Sequence, residues 1–301
     1  MLIDNVIKER GVLLFDAAMG SALLAAGQPP GTGSEEMNLS SPETVLRIHL
    51  DNIKAGSDVI TSNTFGVTQM MLRGEKETAL KALTEAMKLA KTATGNDFVS
   101  YQRKERSPVL ACLDIGPSGA LLGSSGDLGY EAVEGLYELQ AEAGARCGAD
   151  FILLETFSDL EEFVRASRAS MRVSGLPVFG TMTFGANGHT FMGTSLVDFV
   201  REARAAGLTA IGANCTLGPE EMIPVIRDIV AKSAGLPVIA QPNAGQPVYK
   251  EGNSVYEITK EDFADGAEKL LALGISAIGG CCGTTPEMIS AVRGIIDSKG
   301  K

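Results

Sequence analysis

The chain has 301 residues, 45% of them hydrophobic and 21% charged, enough to bury a large core either as one α/β barrel or as two ordinary domains. Its formal net charge of −11 would repel a nucleic-acid backbone or an anionic membrane, so we expect neither as a partner. Since the sequence has no long uncharged apolar run and no signal-peptide pattern, we expect a cytoplasmic location and small molecules or other proteins as partners.

Eight apolar, β-branched segments predict strands that are buried on both faces. In chain order they cover residues 12–16, 58–64, 108–116, 151–158, 177–185, 210–215, 237–243 and 277–282. Their hydrophobicity is continuous rather than alternating, which is typical of a parallel sheet covered by helices on both sides.

Amphipathic stretches between these strands predict helices. Ser40 with Glu43, and Thr284 with Glu287, fit capping boxes at two helix starts. Glycines that follow helical runs directly ahead of a strand fit helix C-caps: Gly56, Gly207, Gly235 and Gly274. The βα unit therefore recurs eight times, which predicts a (β/α)8 TIM barrel in a single domain over residues 1–301 rather than an open sheet.

In such a barrel the active site forms where the strands end and the βα loops begin, so polar residues at strand ends are site candidates. The irregular segments 27–38 and 116–130 follow strands and belong to the same face. The strand ends supply these candidates: Asp16, Asn63, Asp114, Glu155, Thr183, Cys215, Asn243, Cys281 and Cys282.

Three cysteines in that set can converge on one point, because the sixth and eighth strands flank the seventh. Zinc accepts thiolates in tetrahedral geometry, and a site with three protein ligands keeps its fourth position open for a substrate or water. Adjacent ligands such as Cys281 and Cys282 require a sharp turn of the backbone. We expect nearby glycines to supply that freedom: Gly279, Gly280 and Gly283.

Other interpretations of the same residues stay open at this stage. A Cys-Cys pair is often inert or a redox-active vicinal disulfide, and the carboxyl groups of Asp16 and Glu155 could be helix caps or loop acids. The other cysteines are expected to fill the core or surface, and the histidines are not expected to bind a metal: Cys112, Cys147, His49 and His189.

A zinc ion held by three thiolates is a weak Lewis acid compared with a histidine site, which disfavours the activation of water. A substrate thiol suits the same soft centre, because its pKa would fall from about 8.5 and a nucleophilic thiolate would form at neutral pH. The three cysteines therefore favour S-alkylation over hydrolysis.

Eight short motifs along nearly the whole chain resemble the homocysteine S-methyltransferase family, and within it the homocysteine-binding modules that methylcobalamin serves. They are DAAMGS, EEMN, DVITSNTFG, DIGPSG, LLETFSD, GANCTLGPEEM, QPNAG and GGCCGTTPEM. The sequence differs from the family pattern at Ala17, where glycine is usual, and at Ser21, where threonine is common.

The resemblance implies roles for individual residues. The zinc ligands and catalytic residues would be Cys215, Cys281 and Cys282, with the homocysteine sulfur as the fourth ligand. Asp16 and Glu155 would bind the substrate ammonium group. The backbone amides that would bind the substrate carboxylate are those of Ala18, Met19 and Gly20. Two further residues would line the pocket or orient its loops: Asn63 and Asn243.

The expected activity is zinc-dependent methylation of homocysteine to methionine, in which the zinc-bound thiolate attacks a methyl group. The resemblance implies a methyl-corrinoid protein as donor, with methylcobalamin supplied by that partner, and S-methylmethionine is the alternative donor. The absence of tryptophan disfavours an aromatic cage for betaine. Two competing classes stay open: a zinc hydrolase with Glu155 as its acid or base, and a non-catalytic thiol- or metal-binding protein.

Overall fold

The computed structural model describes residue 7 and residues 11–95, 108–123, 128–250 and 253–299. Eight parallel strands form one sheet that closes almost completely into a barrel, in the order β1-β10-β7-β6-β5-β4-β3-β2. These strands are β1 (Leu13–Leu14), β2 (Val59–Thr61), β3 (Leu110–Ile115), β4 (Phe151–Phe157), β5 (Val178–Met182), β6 (Ala210–Asn214), β7 (Val238–Gln241) and β10 (Ala277–Ile278). A separate antiparallel hairpin comprises β8 (Val248–Lys250) and β9 (Asn253–Val255).

Helices follow the barrel strands and cover the outside of the sheet. The α-helices are Met19–Ala25, Met37–Ser40, Pro42–Ala55, Val67–Leu72, Lys76–Thr94, Tyr130–Arg146, Leu160–Ser174, Leu196–Ala206, Pro219–Lys232, Lys260–Leu271 and Pro286–Lys299, and Ser34–Glu36 is a 3₁₀ turn. Among the described residues, no helix combines the length and apolar character needed to cross a bilayer.

Aromatic and aliphatic side chains fill the barrel interior. Phe151 stacks between Phe15 and Phe179, with ring centroids 6.0 and 4.5 Å away. All three side chains are fully buried, which removes a large apolar area from water. A second and larger apolar layer lies between the barrel strands and the helices, so the eight barrel strands are covered on both faces.

The first two strands meet through Asp58 rather than through a regular strand ladder. The backbone N–H of Asp58 donates to the Leu14 carbonyl at 2.6 Å, and its carboxylate accepts from the Leu14 N–H at 3.0 Å. The guanidinium of Arg293 pairs with the same carboxylate and donates to the Gly56 carbonyl at 3.1 Å. The last helix therefore holds together the place where β1 meets the segment before β2, which we call the seam of the barrel.

All eight predicted strands are confirmed, but most end earlier than the sequence suggests because the chain bends away into the βα loops. Both capping boxes are wrong. Ser41, followed by Pro42, precedes the helix that Ser40 was expected to cap. Thr284 lies two residues before the last helix, and its hydroxyl donates to the Cys281 carbonyl in the preceding loop at 2.7 Å. The four predicted C-cap glycines all have a positive φ, between 80° and 109°.

Candidate functional site

A cavity of about 390 Å³ opens at the carboxyl ends of the strands. Nine of the ten residues predicted for the site line it: Asp16, Ala18, Met19, Gly20, Asn63, Glu155, Cys215, Cys281 and Cys282. Asn243 is buried outside this wall, and its N–H donates to the Leu217 carbonyl at 2.9 Å, which supports the loop that follows Cys215.

The three predicted cysteines come together as a cluster of sulfur atoms. All three Sγ atoms lie within 4.8 Å of one another, and those of Cys215 and Cys282 are 3.9 Å apart. Two thiolates on a tetrahedral zinc ion, each at about 2.3 Å from it, are separated by about 3.8 Å. The spacing and the soft sulfur donors therefore fit zinc.

The free thiols also share protons within this cluster. Hydrogen bonds from Cys215 and then Cys281 lower the pKa of Cys282, while the pKa of Cys281 is raised by its hydrogen bonds to both neighbours. One thiolate is thereby favoured among the three sulfurs, which provides a first anionic ligand for a cation.

Unusual backbone conformations place Cys215 in the cluster. Cys215 and Thr216 have φ values of 62° and 63°, a left-handed conformation that side chains other than glycine rarely adopt. The Cys215 N–H still donates to the Gln241 carbonyl at 3.0 Å, which extends the contact between β6 and β7. The strand pairing thus holds a strained turn that directs the thiol into the cavity.

The glycines around the Cys281–Cys282 pair act differently from the sequence-based expectation. Only Gly283 has a positive φ, of 78°. A Cβ atom at Gly279 would lie 2.6 Å from the Phe15 side chain, and one at Gly280 would lie 2.3 Å from Thr284 Oγ1. These two glycines are required by close packing rather than by backbone freedom.

Two side chains outside the cysteine set contact the sulfur atoms. The Asn214 amide group is 3.8 Å from Cys281 Sγ and is fixed by Thr156 and Thr181. The Tyr256 hydroxyl hydrogen-bonds to Cys282, and burial together with that thiolate raises the tyrosine pKa to about 12. No sequence pattern pointed to Tyr256, because it follows the unpredicted hairpin rather than a barrel strand.

Carboxyl groups line the same cavity as the cysteines. Both oxygens of Asp16 accept hydrogen bonds from Thr61, one from its N–H at 2.9 Å and one from its hydroxyl at 2.7 Å. Burial raises the pKa of Asp16 to about 7, and burial, followed by Cys215 and Asp16, raises that of Glu155 to about 8. Neither residue caps a helix, and both are placed to accept a cation.

The turn after β1 presents backbone N–H groups to the cavity. Met19 and Gly20 lie in the first turn of helix Met19–Ala25, where amides have no partner within the helix. The Ala18 N–H donates to Thr284 Oγ1 at 3.1 Å, and the Gly283 N–H donates to Ser21 Oγ at 2.9 Å. These two bonds join the turn to the loop that carries Cys281 and Cys282.

Segment 27–38 closes one side of the cavity, as its position after a strand predicted. Asn63 holds this segment by donating to the Ser34 carbonyl at 2.7 Å and to Asn38 at 2.9 Å. The buried Glu35 accepts from the Gly66 N–H at 2.6 Å. Of the second predicted segment, 116–130, residues 124–127 lie outside the described residues.

The residues expected to have no site role do not line the cavity. Cys112 is buried in β3 and Cys147 lies at a helix end, so neither joins the sulfur cluster. His49 is fully buried in helix Pro42–Ala55, and burial lowers its pKa to about 4. His189 is an exposed loop residue that bonds to the Asn187 carbonyl.

Comparisons with known proteins agree with this geometry. The sequence profile of the family described as homocysteine S-methyltransferase matches residues 13–296. The chain is 30% identical over 306 residues to methionine synthase from Mycobacterium tuberculosis, covering 97% of this chain and 25% of that protein. It is 27% identical to selenocysteine Se-methyltransferase from Brassica oleracea, covering 85% of this chain and 80% of that protein.

The chain thus spans about a quarter of the length of the methionine synthases that it matches. Among solved structures, the metallated form of the homocysteine methyltransferase MmuM from Escherichia coli superposes with a TM-score of 0.81 at 21% identity, covering 97% of this chain and 99% of that one. This likeness shows that the two chains share a fold.

Proposed function

The chain belongs to the homocysteine S-methyltransferase family, and from this premise we propose that it transfers a methyl group to the sulfur of homocysteine and so forms methionine. The observation that carries the proposal is one cavity lined both by three thiols and by carboxyl groups. A small amino acid with a thiol at its far end matches both kinds of group.

The proposed substrate is anchored through both of its charged groups. Glu155 and Asp16 accept the ammonium group, and the first-turn N–H groups of Met19 and Gly20 bind the carboxylate. Ala18 can contribute to the carboxylate site only by sharing the N–H that it donates to Thr284. With both ends held, the thiol points toward the sulfur cluster, and this alignment lowers the barrier for an in-line displacement.

Cys215, Cys281 and Cys282 would hold a zinc ion. Zinc bound at these residues lowers the pKa of the substrate thiol, so that the sulfur is a nucleophile at neutral pH. The chain supports this chemistry by fixing the ligands: Asn214 and Tyr256 contact the sulfur atoms, and Asn63 and Asn243 hold the adjoining loops.

A methyl-corrinoid carried by a separate protein or domain is the proposed donor, because the matched methionine synthases are about four times the length of this chain. A donor used directly, such as S-methylmethionine, is the second candidate. The plant selenocysteine methyltransferase supports it, since the match covers 80% of that protein.

A methyl-transfer assay tests the proposal. The zinc-loaded protein is given homocysteine with methylcobalamin, a methylated corrinoid protein or S-methylmethionine in turn, and methionine is measured. We expect methionine with at least one donor, and loss of more than about 99% of the rate together with bound zinc in Cys281→Ser. Cys147→Ser is the matched control and should retain both.

Each other outcome identifies a competing class. Zinc and homocysteine binding without methionine from any donor would indicate a non-catalytic binding protein. Turnover of an ester or amide without any thiol would indicate a hydrolase, with Glu155 as the acid or base. Either result would contradict the proposed activity.

A further inference from the structure

Asp114 is a buried acid on the cavity wall to which the proposed reaction assigns no role. It lies in β3, is only 4% exposed, and lines the same cavity as Asp16 and Glu155. Its Oδ1 atom has no hydrogen-bond partner within the ranges that the structure describes. A buried acceptor without a partner costs free energy, so its presence at a cavity needs a reason.

The ammonium group of an amino acid has three N–H donors, each of which needs an acceptor. Asp16 already accepts two hydrogen bonds from Thr61, and Glu35 accepts one from the Gly66 N–H. Asp114 Oδ1 accepts none from the described residues. The carboxyl group of Asp114 therefore adds an acceptor to those of Asp16 and Glu155.

We propose that Asp114 accepts a hydrogen bond from the substrate ammonium group, as a third carboxyl group beside Asp16 and Glu155. This inference rests on the proposed function and assigns the residue a part in substrate selection. Because a donor on the substrate would satisfy its acceptor, Asp114 favours α-amino thiols over thiols that lack the amine.

The electrostatics of the cavity indicate that Asp114 acts as a neutral acid. Its pKa lies well above the usual range, first because of burial and then because of the neighbouring Glu155, Glu35 and Asp16. A third carboxylate beside a single ammonium group would leave excess negative charge among buried groups. The carbonyl oxygen of a neutral carboxyl group accepts a hydrogen bond without adding that charge.

Two substitutions of similar shape separate the acceptor from the charge. Asp114→Asn keeps a carbonyl oxygen, whereas Asp114→Leu removes both oxygens. We expect Asp114→Leu to raise the KM for homocysteine by about 10-fold or more, and Asp114→Asn by less than about 3-fold. With 4-sulfanylbutanoate, which is homocysteine without its amine, both variants should match the wild type, which also shows that they are folded.

If Asp114→Leu lost equal activity with homocysteine and with 4-sulfanylbutanoate, its role would be structural and the inference would be overturned. Unchanged activity with both substrates would overturn it as well. A loss in Asp114→Asn as large as that in Asp114→Leu would overturn the neutral-acceptor assignment.

A binding measurement separates this inference from the proposed reaction. NMR titration of the metal-free protein with 2-aminobutanoate, which carries the amine and carboxylate but no thiol, needs no methyl donor. We expect Asp114→Leu to raise the Kd about 10-fold relative to the wild type, and Asp114→Asn to change it little. An unchanged Kd in Asp114→Leu would refute the role of Asp114 even if the wild type makes methionine. Failure of the wild type to make methionine would refute only the reaction.

Discussion

At the scale of single residues, the cavity holds its acids in an environment that opposes their ionisation. Burial, followed by Cys215 and Asp16, raises the pKa of Glu155 from 4.5 to about 8. The folded chain therefore holds this proton more tightly than the unfolded chain does. The free energy of unfolding therefore falls as the pH rises from about 4.5 to about 8.

Substitution of Glu155 by glutamine should remove this pH-dependent cost. In metal-free protein, we expect the Tm of Glu155→Gln to exceed that of the wild type by roughly 5 °C at pH 8.5 and by less than about 1 °C at pH 4.5. Thermal unfolding followed by circular dichroism measures both values. Glu287→Gln, at an exposed position, is the control, and a difference for Glu155→Gln that did not change with pH would contradict the account.

At the scale of elements, the barrel strands could be predicted because their apolar runs are continuous. The cysteine cluster could be predicted because its members follow strand ends. The hairpin of β8 and β9 could not be predicted, since strands of three residues are too short to show a period. Tyr256 was missed for the same reason. The capping box at Ser40 is wrong because Pro42 occupies the first turn and makes Ser41 the N-cap residue, without a side-chain cap. The pairing of Asp16 with Thr61 in β2 joins residues that are 45 positions apart, which no local pattern encodes.

The loop after β10 should tolerate no side chain at Gly283. Its φ is 78°, and a Cβ atom there would lie 2.1 Å from the Tyr256 ring. We expect Gly283→Ala to move Cys282 or Tyr256 and to lower bound zinc to well under half of the wild-type stoichiometry. Elemental analysis of the dialysed protein measures the zinc.

Gly274→Ala is a matched control, since Gly274 has a φ of 80° but nothing within 4 Å of its added Cβ. It should lose only about 1 kcal/mol of stability and keep its zinc. Equal zinc content in both variants would show that the Tyr256 contact does not fix the loop.

At the scale of the whole molecule, the barrel is closed by an ion pair between distant parts of the chain. Asp58 is 1% exposed, and Arg293 reaches it from the last helix while also binding the Gly56 carbonyl. Removing one partner of a buried ion pair lowers the free energy of unfolding far more than removing one partner of an exposed pair. The reason is that a buried charge is left without its counter-ion.

Arg293→Met should therefore destabilise the protein by about 3–5 kcal/mol, measured by urea unfolding. The double variant Arg293→Met with Asp58→Asn should recover part of this loss. Arg201→Met breaks an exposed pair with Asp198 and should cost less than about 1 kcal/mol. Equal costs for Arg293→Met and Arg201→Met would show that the seam does not depend on Arg293.

The hydrogen bonds from Ala18 to Thr284 and from Gly283 to Ser21 mean that the loop carrying Cys281 and Cys282 packs on the turn after β1. During synthesis on the ribosome, Asp16 and Cys215 emerge well before Cys281 and Cys282. A nascent chain that stops short of β10 has one of the three clustered sulfurs and no loop to pack against that turn. The proposed capture of an ion by three sulfurs would therefore follow the synthesis of β10 and report that the ring of strands is complete.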